Sequence, residues 1–377
     1  MRFFIASLVS VAGAAYSLSA AATRYLDPVF NNVSVTYDVL FGSNVNYDGN
    51  VYPLKLDLYQ PTGDTANARP LMIFFYGGGF TVGDKSSSDI VRLCTTFAKM
   101  GYVTAAPNYR LNPNAGQTET TENTATLRAV QDGKAAVRYL RSKKSQYRID
   151  DTKIIMGGTS AGGDVAVDCA YWDQNEIPAY IDTTKVGGIE GASGTPGVSS
   201  AINGVINCWG LIIDSTWLYN NKIPVINFAG TADNVVPYDV GFLNGDHKFP
   251  CVGSACIHRV LTRLNVKSVL RPFVGMQHGM GTNDPRFDTL LTMSTQFAYD
   301  ILFKSPSKIN ASNKTNPLLR PSLQQVFLGH STAGNATQLL RFGTTYSLNG
   351  GIVKGWRNGS SPLNAASGVY IYQPPLK

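Results

Sequence analysis

Residues 153–163, KIIMGGTSAGG, place one serine among four glycines where an apolar run passes into a helical pattern. The apolar residues predict a short buried strand, and the spacing after Ser160 predicts a helix. A chain that turns this sharply leaves little room for side chains, which accounts for glycines on both sides of the serine. The stretch is either a glycine-rich turn that contains a serine by chance or a turn built to expose one hydroxyl.

Strand and helix patterns alternate on both sides of this stretch. The predicted strands cover residues 33–41, 54–61, 70–76, 102–109, 153–158, 204–210, 223–230 and 268–273. The predicted helices cover residues 87–100, 122–144, 160–172, 255–265 and 284–304. The first two strands alternate in polarity and indicate antiparallel edge strands, whereas the later ones are continuous apolar runs typical of buried parallel strands. This order predicts an α/β fold with a doubly wound, mostly parallel sheet.

The two ends of the chain differ from the alternating region. Residues 1–22 begin with Arg2, continue with a short apolar run and end in small residues, which is the pattern of a secretory signal peptide. After residue 305 a polar, proline-containing linker leads to short strand patterns without a helix pattern. We therefore expect a signal peptide at 1–22, a main α/β domain at 23–305, and a linker with a small all-β domain at 306–377.

Composition narrows the class of protein. The 377 residues are 44% hydrophobic and 15% charged, with a formal net charge of +7, which is a globular composition. The basic cluster at residues 138–148 has helical spacing and indicates a solvated helix face, so nucleic acid is not an expected partner. After the signal peptide no stretch reaches about 18 uninterrupted apolar residues, so we expect no membrane span and a secreted or cell-surface protein.

The five cysteines fall into two groups. Cys251 and Cys256 lie five residues apart in a loop-like stretch, PCVGSAC, and are the candidate disulfide because export permits disulfides. Cys94, Cys169 and Cys208 lie in apolar patterns and are expected to be core residues. No spacing of cysteine and histidine fits a zinc site, and neither a metal nor a cofactor is expected.

In a parallel sheet, functional groups lie beyond the carboxyl ends of the strands, where Ser160 is predicted. In this context G-x-S-x-G indicates a nucleophile elbow, and a serine there requires a base and an acid that orients the base. Of the four histidines, His278 follows the last predicted strand in a glycine-rich loop. The others, His247, His258 and His330, lie in a charged loop, a helix pattern and the tail.

Two aspartates compete for the orienting role. Asp233 follows the buried strand predicted at 223–230, and Asp214, which follows apolar residues, is the alternative. The chain order Ser160, Asp233, His278 is the order that an elbow fold of this kind requires.

Three consecutive glycines, Gly77, Gly78 and Gly79, end the strand predicted at 70–76. Without side chains, their N–H groups can approach a developing oxyanion closely, and the N–H of Ala161 would add another donor.

Together these stretches resemble an α/β-hydrolase esterase of the hormone-sensitive-lipase and carboxylesterase kind. YGGGF is similar to that family's H-G-G-G-F/W loop, NYRL to its D-Y-R-L, GTSAGG to its G-x-S-A-G-G, GTADNVVPY to its acid loop and GMQHGM to its base loop. The resemblance covers residues 35–304 and implies that residues 23–305 form the catalytic domain. It implies Ser160 as nucleophile, His278 as base and Asp233 as orienting acid. It further implies oxyanion donors at Gly78, Gly79 and Ala161.

Two positions depart from the family's pattern. Tyr76 stands where the family has a histidine before the glycines, and Asn108 stands where it has the aspartate of D-Y-R-L. Both are supporting positions, so we expect them to affect loop geometry and substrate preference rather than the reaction.

The resemblance implies a secreted serine carboxylic-ester hydrolase that works through an acyl-enzyme. Residues 170–204 are rich in glycine and serine without an apolar helix pattern, which predicts a loop cover and an open site. Acetyl or feruloyl esters of polysaccharides, or short-chain, aryl or polymer esters, are the expected substrates. The alternatives are a peptidase of the same fold and a non-catalytic hydrolase-like binding protein, and the complete set of triad residues argues against the second.

The tail, residues 320–377, resembles the type A sorting domain of the type IX secretion route in YSLNGGIV, SGVYIYQ and a final lysine. This implies secretion machinery as a partner. The alternative interpretation is glycosylation, because N-x-S/T sequons occur at Asn32, Asn310, Asn313, Asn335 and Asn358.

Overall fold

A computed structural model of the chain describes residues 22–245 and 247–304, together with two short strands at 344–346 and 371–373. The strands, β1 to β12 in chain order, are Val33–Val45, Val51–Pro61, Arg69–Phe75, Val103–Pro107, Ile149–Thr159, Gly204–Cys208, Val225–Gly230, Val240–Phe242, Pro250–Val252, Ser268–Phe273, Thr344–Tyr346 and Ile371–Gln373. The α-helices, α1 to α7, are Ser88–Lys99, Glu119–Ser142, Lys144–Tyr147, Ala161–Tyr171, Thr183–Val186, Ser254–Arg263 and Pro285–Phe303.

Eight of these strands form one sheet in the order β1-β2-β4-β3-β5-β6-β7-β10. β1 and β2 pair antiparallel, as do β2 and β4, and every pairing from β4 to β10 is parallel. Every residue of β3, β4, β6 and β7 is buried. Because successive side chains of a strand point to opposite faces, both faces of this sheet are covered. The α/β, mostly parallel architecture predicted from the sequence is confirmed.

The sheet brings four loops to one edge. Phe75 at the end of β3 pairs with Gly158 near the end of β5, and Phe273 at the end of β10 pairs with Gly230 at the end of β7. Since these strands are parallel, their carboxyl ends meet at the same edge. The loops after β3, β5, β7 and β10 therefore lie together.

The segment between α4 and β6 departs from the expected loop cover. It contains one 3-10 turn, Gln174–Glu176, and the four-residue α5. Its middle part packs on α2, where Gln131 Nε2 donates to the carbonyl oxygens of Val186 and Gly188 at 3.0 and 2.8 Å. None of its residues lines the cavity at Ser160, so the segment braces α2 and leaves the serine uncovered.

The predicted disulfide between Cys251 and Cys256 is wrong, because both are free, buried thiols. Cys251 lies in β9 and packs against Leu211 and Val236, whereas Cys256 lies in α6 and belongs to the main core. The change from strand to helix between them sends the two thiols into different apolar clusters. Burial raises the pKa of Cys256 to about 11, which keeps its thiol protonated.

The remaining cysteines behave as expected. Cys94, Cys169 and Cys208 are buried free thiols in the main core. In the described part of the chain, no helix has both the length and the apolar character that crossing a membrane requires.

The described part of the tail consists of the two short strands. β11 and β12 lie within two of the strand patterns seen in the sequence, and they pair with each other antiparallel. The signal-peptide stretch, the linker and most of the tail lie outside the described residues, so the domain boundaries at 22 and 305 stay predictions.

Candidate active site

Ser160 lies at the junction between β5 and α4 in a strained backbone conformation, with φ 52° and ψ −127°. Its N–H donates to the carbonyl oxygen of Cys208 on the neighbouring strand at 2.9 Å. A Cβ added at Gly158 would lie 2.3 Å from the Gly162 carbonyl oxygen, and one added at Gly162 would lie 2.0 Å from that of Phe75. Only glycine fits this crossing of β3, β5 and α4, which is the physical reason for the glycines around the serine.

The structure brings the three predicted triad residues together. His278 Nε2 lies 2.8 Å from Ser160 Oγ, and His278 Nδ1 lies 2.8 Å from Asp233 Oδ2. The serine and the histidine are 118 residues apart in the chain, and the sheet edge places them side by side. The carboxylate accepts the Nδ1–H, which leaves Nε2 free to accept the serine proton.

Asp233 is fully satisfied as a carboxylate. Its Oδ1 accepts the N–H groups of Val235 and Val236 at 2.9 and 3.0 Å, while its Oδ2 faces His278. The Asp233 side chain is 1% exposed, against 18% for His278. A buried carboxylate with three hydrogen bonds is fixed in place, so it can hold one orientation of the imidazole.

The alternative residues lie elsewhere. Asp214 caps the 3-10 turn Ser215–Tyr219 by accepting the Thr216 N–H at 2.8 Å. His258 lies in α6 with Nδ1 3.1 Å from Ser268 Oγ, and the ring of His247 packs edge-on against Phe242. His330 lies outside the described residues. Neither Asp214 nor either of these histidines forms a hydrogen bond with Ser160.

The glycine loop after β3 holds its peptide groups in an unusual orientation. Gly78 has φ 129° and Gly79 has φ 56°, and a Cβ on Gly78 would lie 2.0 Å from the Val82 carbonyl oxygen. The Gly78 carbonyl oxygen accepts the N–H groups of Thr81 and Val82, which closes the turn. Within the described chain, the N–H groups of Gly78 and Gly79 have no acceptor.

A third N–H donor comes from the helix. Ala161 is the first residue of α4, so its N–H has no partner within the helix. Ala161, Gly78, Gly79, Ser160 and His278 all line one cavity of about 630 Å³. The predicted nucleophile, base and oxyanion donors therefore face the same space.

The two departures from the family pattern support the glycine loop. The Tyr76 ring stacks on Tyr109 with centroids 4.4 Å apart, and the Tyr109 hydroxyl donates to the Tyr76 carbonyl oxygen at 2.9 Å. Asn108 accepts the Lys85 N–H at 2.8 Å and donates to Asp84 Oδ2 at 3.1 Å. An ionised aspartate at position 108 could not donate the second hydrogen bond.

Sequence reasoning missed two carboxyl groups on the wall of this cavity, Glu122 on α2 and Asp164 on α4. Burial raises the pKa of Glu122 from 4.5 to about 7, and burial also raises the pKa of Asp164 well above its ordinary value. Asp164 directly follows GTSAGG, so its position in the sequence was a usable signal. Glu122 lies in an amphipathic helix pattern, where nothing distinguishes it from a solvated charge.

No metal centre accompanies these residues. Across residues 22–245 and 247–304, no group of three or more histidine, cysteine, aspartate and glutamate side chains is placed to hold a metal ion.

Comparison with known proteins points to esterases and lipases. The profile of the BD-FAE family matches residues 56–212, which is less than half of the chain. Lipase 2 of Moraxella sp. is 29% identical over 119 residues, covering 29% of this chain and 25% of the lipase. Esterase LipI of Mycobacterium tuberculosis is 30% identical over 122 residues, covering 32% of this chain and 34% of the esterase. The chain thus spans only a quarter to a third of these two relatives.

Solved structures match over a larger share of the chain. Esterase 2 of Thermogutta terrifontis phosphoramylated by tabun has a TM-score of 0.52 at 24% identity, covering 74% of this chain and 98% of the esterase. The propionate-bound form of the same esterase has a TM-score of 0.51 at 22% identity, covering 74% of this chain and 98% of the esterase. The chain has an α/β-hydrolase fold.

Proposed function

We propose that this chain is a serine carboxylic-ester hydrolase that forms an acyl-enzyme on Ser160. The observation that carries this proposal is the continuous hydrogen-bonded series from Ser160 Oγ through His278 to Asp233, with both distances at 2.8 Å. The relatives named as a lipase and an esterase support ester hydrolysis as the reaction.

The geometry supports each step of the proposed acyl transfer. His278 Nε2 takes the proton as Ser160 Oγ attacks the ester carbonyl carbon, and Asp233 stabilises the imidazolium that forms. The carbonyl oxygen becomes an oxyanion, and the N–H groups of Gly78, Gly79 and Ala161 donate to it. Each such donor lowers the barrier by about 3 kcal/mol.

Collapse of the tetrahedral intermediate breaks the bond to the leaving alcohol. The imidazolium of His278 gives its proton to the alkoxide, which leaves as a neutral alcohol, and the acyl group stays on Ser160. Water then repeats the sequence, giving its proton to His278 and releasing the carboxylic acid. The helix N-terminus at Ala161 favours the negative charge in both intermediates.

The substrate proposal follows from the open approach to the serine. The wall includes the exposed side chain of Val82, and no helix between α4 and β6 covers the site. We propose acetyl or feruloyl esters of polysaccharides, or short-chain, aryl or polymer esters, as substrates. An open cavity suits a small acyl group on a large alcohol, because the polymer can extend outward.

Secretion belongs to the same proposal. The signal-peptide pattern at 1–22 supports a secreted or cell-surface enzyme, and the sorting-domain resemblance of the tail supports delivery by secretion machinery. Mass spectrometry of the exported protein tests both. A mature N-terminus near residue 23 is expected, and glycans on the sequons would instead favour the alternative interpretation of the tail.

The reaction is tested with purified protein on p-nitrophenyl esters of rising chain length, acetylated xylan and methyl ferulate. We expect hydrolysis of at least one series, and intact-mass analysis after rapid acid quench should show the acyl group on Ser160. A p-nitroanilide series serves as the peptidase control. Faster cleavage of anilides than of esters would favour the peptidase, and no turnover of either would favour a binding protein.

A further inference from the structure

A second cavity, of about 530 Å³, adjoins the one at Ser160. The two cavities share Glu122, Asp164 and Leu243 in their walls. Beyond this junction the second cavity is lined by aromatic rings, among them Tyr180 and Phe249. A substrate with its carbonyl at Ser160 can therefore extend one end past the two carboxyl groups towards the rings.

Glu122 and Asp164 are more than nine-tenths buried, at 8% and 5% exposure. Asp164 Oδ1 accepts the Leu211 N–H at 2.7 Å, whereas its Oδ2 accepts no hydrogen bond from another residue in the described chain. The Gly116 N–H approaches the Glu122 carboxyl and lowers its pKa, against the larger effect of burial. No lysine or arginine of the described residues forms an ion pair with either carboxyl group.

Two other buried carboxylates have cationic partners. Asp57 pairs with Lys85 at 2.7 Å, and Asp132 pairs with Arg110 at 2.9 Å. The carboxylate of Asp168 is also buried and has no hydrogen-bond partner among the described residues, but it lines neither of the two cavities. The junction thus combines two features: buried carboxyl groups to which no lysine or arginine of the described residues is ion-paired, and access from the space where substrate lies. Farther along, the lining of the second cavity includes Lys248 and the carboxyl groups of Glu119, Glu176 and Asp214.

We propose that the second cavity binds an organic ammonium group of the substrate, held by Glu122 and Asp164 at its entrance and by the aromatic rings beyond. This rests on the proposed ester hydrolysis and makes the enzyme selective for cationic esters over neutral esters of the same shape. Burial removes the hydration of the two carboxylates, and a cation beside them would offset this cost by Coulomb attraction. The aromatic ring faces attract alkylammonium groups in the same way.

An alkylammonium group fits better than a metal ion. The cavity is about 530 Å³ and partly aromatic, and no three metal ligands converge in the described chain. Glu122, whose pKa burial raises to about 7, is mostly ionised at pH 8, so this carboxylate is then available to an ammonium group.

The first test compares butyrylcholine with 3,3-dimethylbutyl butyrate, in which a tert-butyl group replaces trimethylammonium. At pH 8 we expect kcat/KM to favour the cationic ester by about tenfold. Glu122→Gln should lower this preference by about fivefold. The matched control is Glu190→Gln, whose carboxylate lines neither of the two cavities and pairs with Lys134 and Arg138, so the preference should change by less than about twofold.

Asp164→Asn is the second variant, and it also covers the case in which Glu122→Gln fails to fold. The amide oxygen of the new side chain can still accept the Leu211 N–H. The preference of this variant for the cationic ester should fall as well. A wild-type preference below about twofold, or a preference that both folded variants retain, overturns the proposal. A kcat/KM for a neutral sugar ester as high as that for butyrylcholine would identify the second cavity as a polyol site and would also overturn the proposal.

The second test measures binding without turnover. Calorimetry on the Ser160→Ala protein should show binding of choline and none of 3,3-dimethylbutanol at the same concentration. Choline binding without ester hydrolysis by the unmutated protein would retain the ammonium cavity and reject the proposed function. Ester hydrolysis without choline binding would retain the proposed function and reject the cavity.

Discussion

Two kinds of buried carboxyl side chain lie near Ser160, one behind His278 and one on the wall of the cavity, and their hydrogen bonding is opposite. Asp233 accepts two backbone N–H groups and the imidazole N–H, so each of its oxygens has a partner. Glu122 and Asp164 are also buried, yet among the described residues their two carboxyl groups together accept one hydrogen bond of standard geometry from another residue, that of the Leu211 N–H. The same chemical group thus positions a neighbour in one place and stays available in the other.

The difference has a thermodynamic cause. Burying a carboxylate without hydrogen bonds or a counter-charge costs free energy, and the group responds by holding its proton more tightly. Burial accordingly raises the pKa of Glu122 and that of Asp164. Two such groups at a cavity wall lower the free energy of unfolding when they are ionised. Destabilising groups of this kind are typical of functional sites.

Ser160→Ala should have the largest effect, and it tests the proposed triad in which Asp233 takes part. Alanine fits the same strained turn, so the fold should persist while the nucleophile is lost. We expect kcat for p-nitrophenyl acetate to fall by about 10⁶, with an unchanged thermal unfolding temperature as the control. A folded variant that keeps more than a few per cent of kcat would show that another residue is the nucleophile.

Asp233→Asn should have the next largest effect. Asparagine has one oxygen where the carboxylate has two, so it cannot accept both the backbone N–H groups and the imidazole N–H. With the amide NH₂ towards His278, the imidazole turns its proton to the serine, and we expect kcat to fall by about 10⁴. The matched control is Asp214→Asn, which should leave kcat for p-nitrophenyl acetate within about twofold because Asp214 caps a turn and does not line the cavity at Ser160. Equal losses in the two variants would contradict the assignment of the acid.

Glu122→Gln tests the buried carboxyl group through its effect on the free energy of unfolding. The folded protein binds the Glu122 proton more tightly than the unfolded chain, because burial raises the pKa from 4.5 to about 7. The free energy of unfolding therefore falls as pH rises from 4.5 to about 7 and stays lowered above that range. The full difference is worth about 3 kcal/mol.

Glutamine carries no charge at any pH, so the variant should escape this loss. Urea unfolding should show Glu122→Gln to be more stable than the unmutated protein by up to about 3 kcal/mol at pH 8, and little changed at pH 4. Glu119→Gln, at an exposed position, should change stability by less than about 0.5 kcal/mol at either pH. A gain for Glu122→Gln that is the same at both pH values would rule out the buried charge as its cause.

Removal of the tail should have the smallest effect on chemistry. Glu122, Asp164 and the three residues of the proposed triad all lie before residue 304, and the last helix of the main domain ends at Phe303. A chain of residues 23–305 should hydrolyse p-nitrophenyl acetate within about twofold of the full-length rate. In a host with the type IX route it should lose surface delivery. An insoluble or inactive product would place the domain boundary elsewhere, and correct export would reject the sorting role.

Much of the catalytic edge was predictable because its signals are local. The glycines around Ser160 are required by backbone contacts within one strand–turn–helix junction, and those of residues 77–79 by one loop. His278 and Asp233 each follow a strand that the apolar runs already marked. Parallel strands bring such loops to one edge in any sheet of this type, so the loops could be combined without knowing the strand order.

The disulfide prediction failed for the opposite reason. Sequence spacing placed Cys251 and Cys256 in one loop, but β9 ends and α6 begins between them. The direction of a side chain depends on the element that carries it, and these two thiols pack into different clusters. Spacing alone does not contain that information.

By itself, the sequence determined the α/β class, the turn at Ser160 and the loops that carry the proposed base and acid. These follow from short-range rules: apolar periodicity, the steric limits of glycine and the position of a residue at the end of a strand. Only the tertiary structure decided that Glu122 on α2 and Asp164 on α4 lie at the shared wall of two cavities with no ion pair to a lysine or arginine of the described residues. Burial and the absence of a partner are properties of the whole packed chain, because they depend on what every other element places nearby.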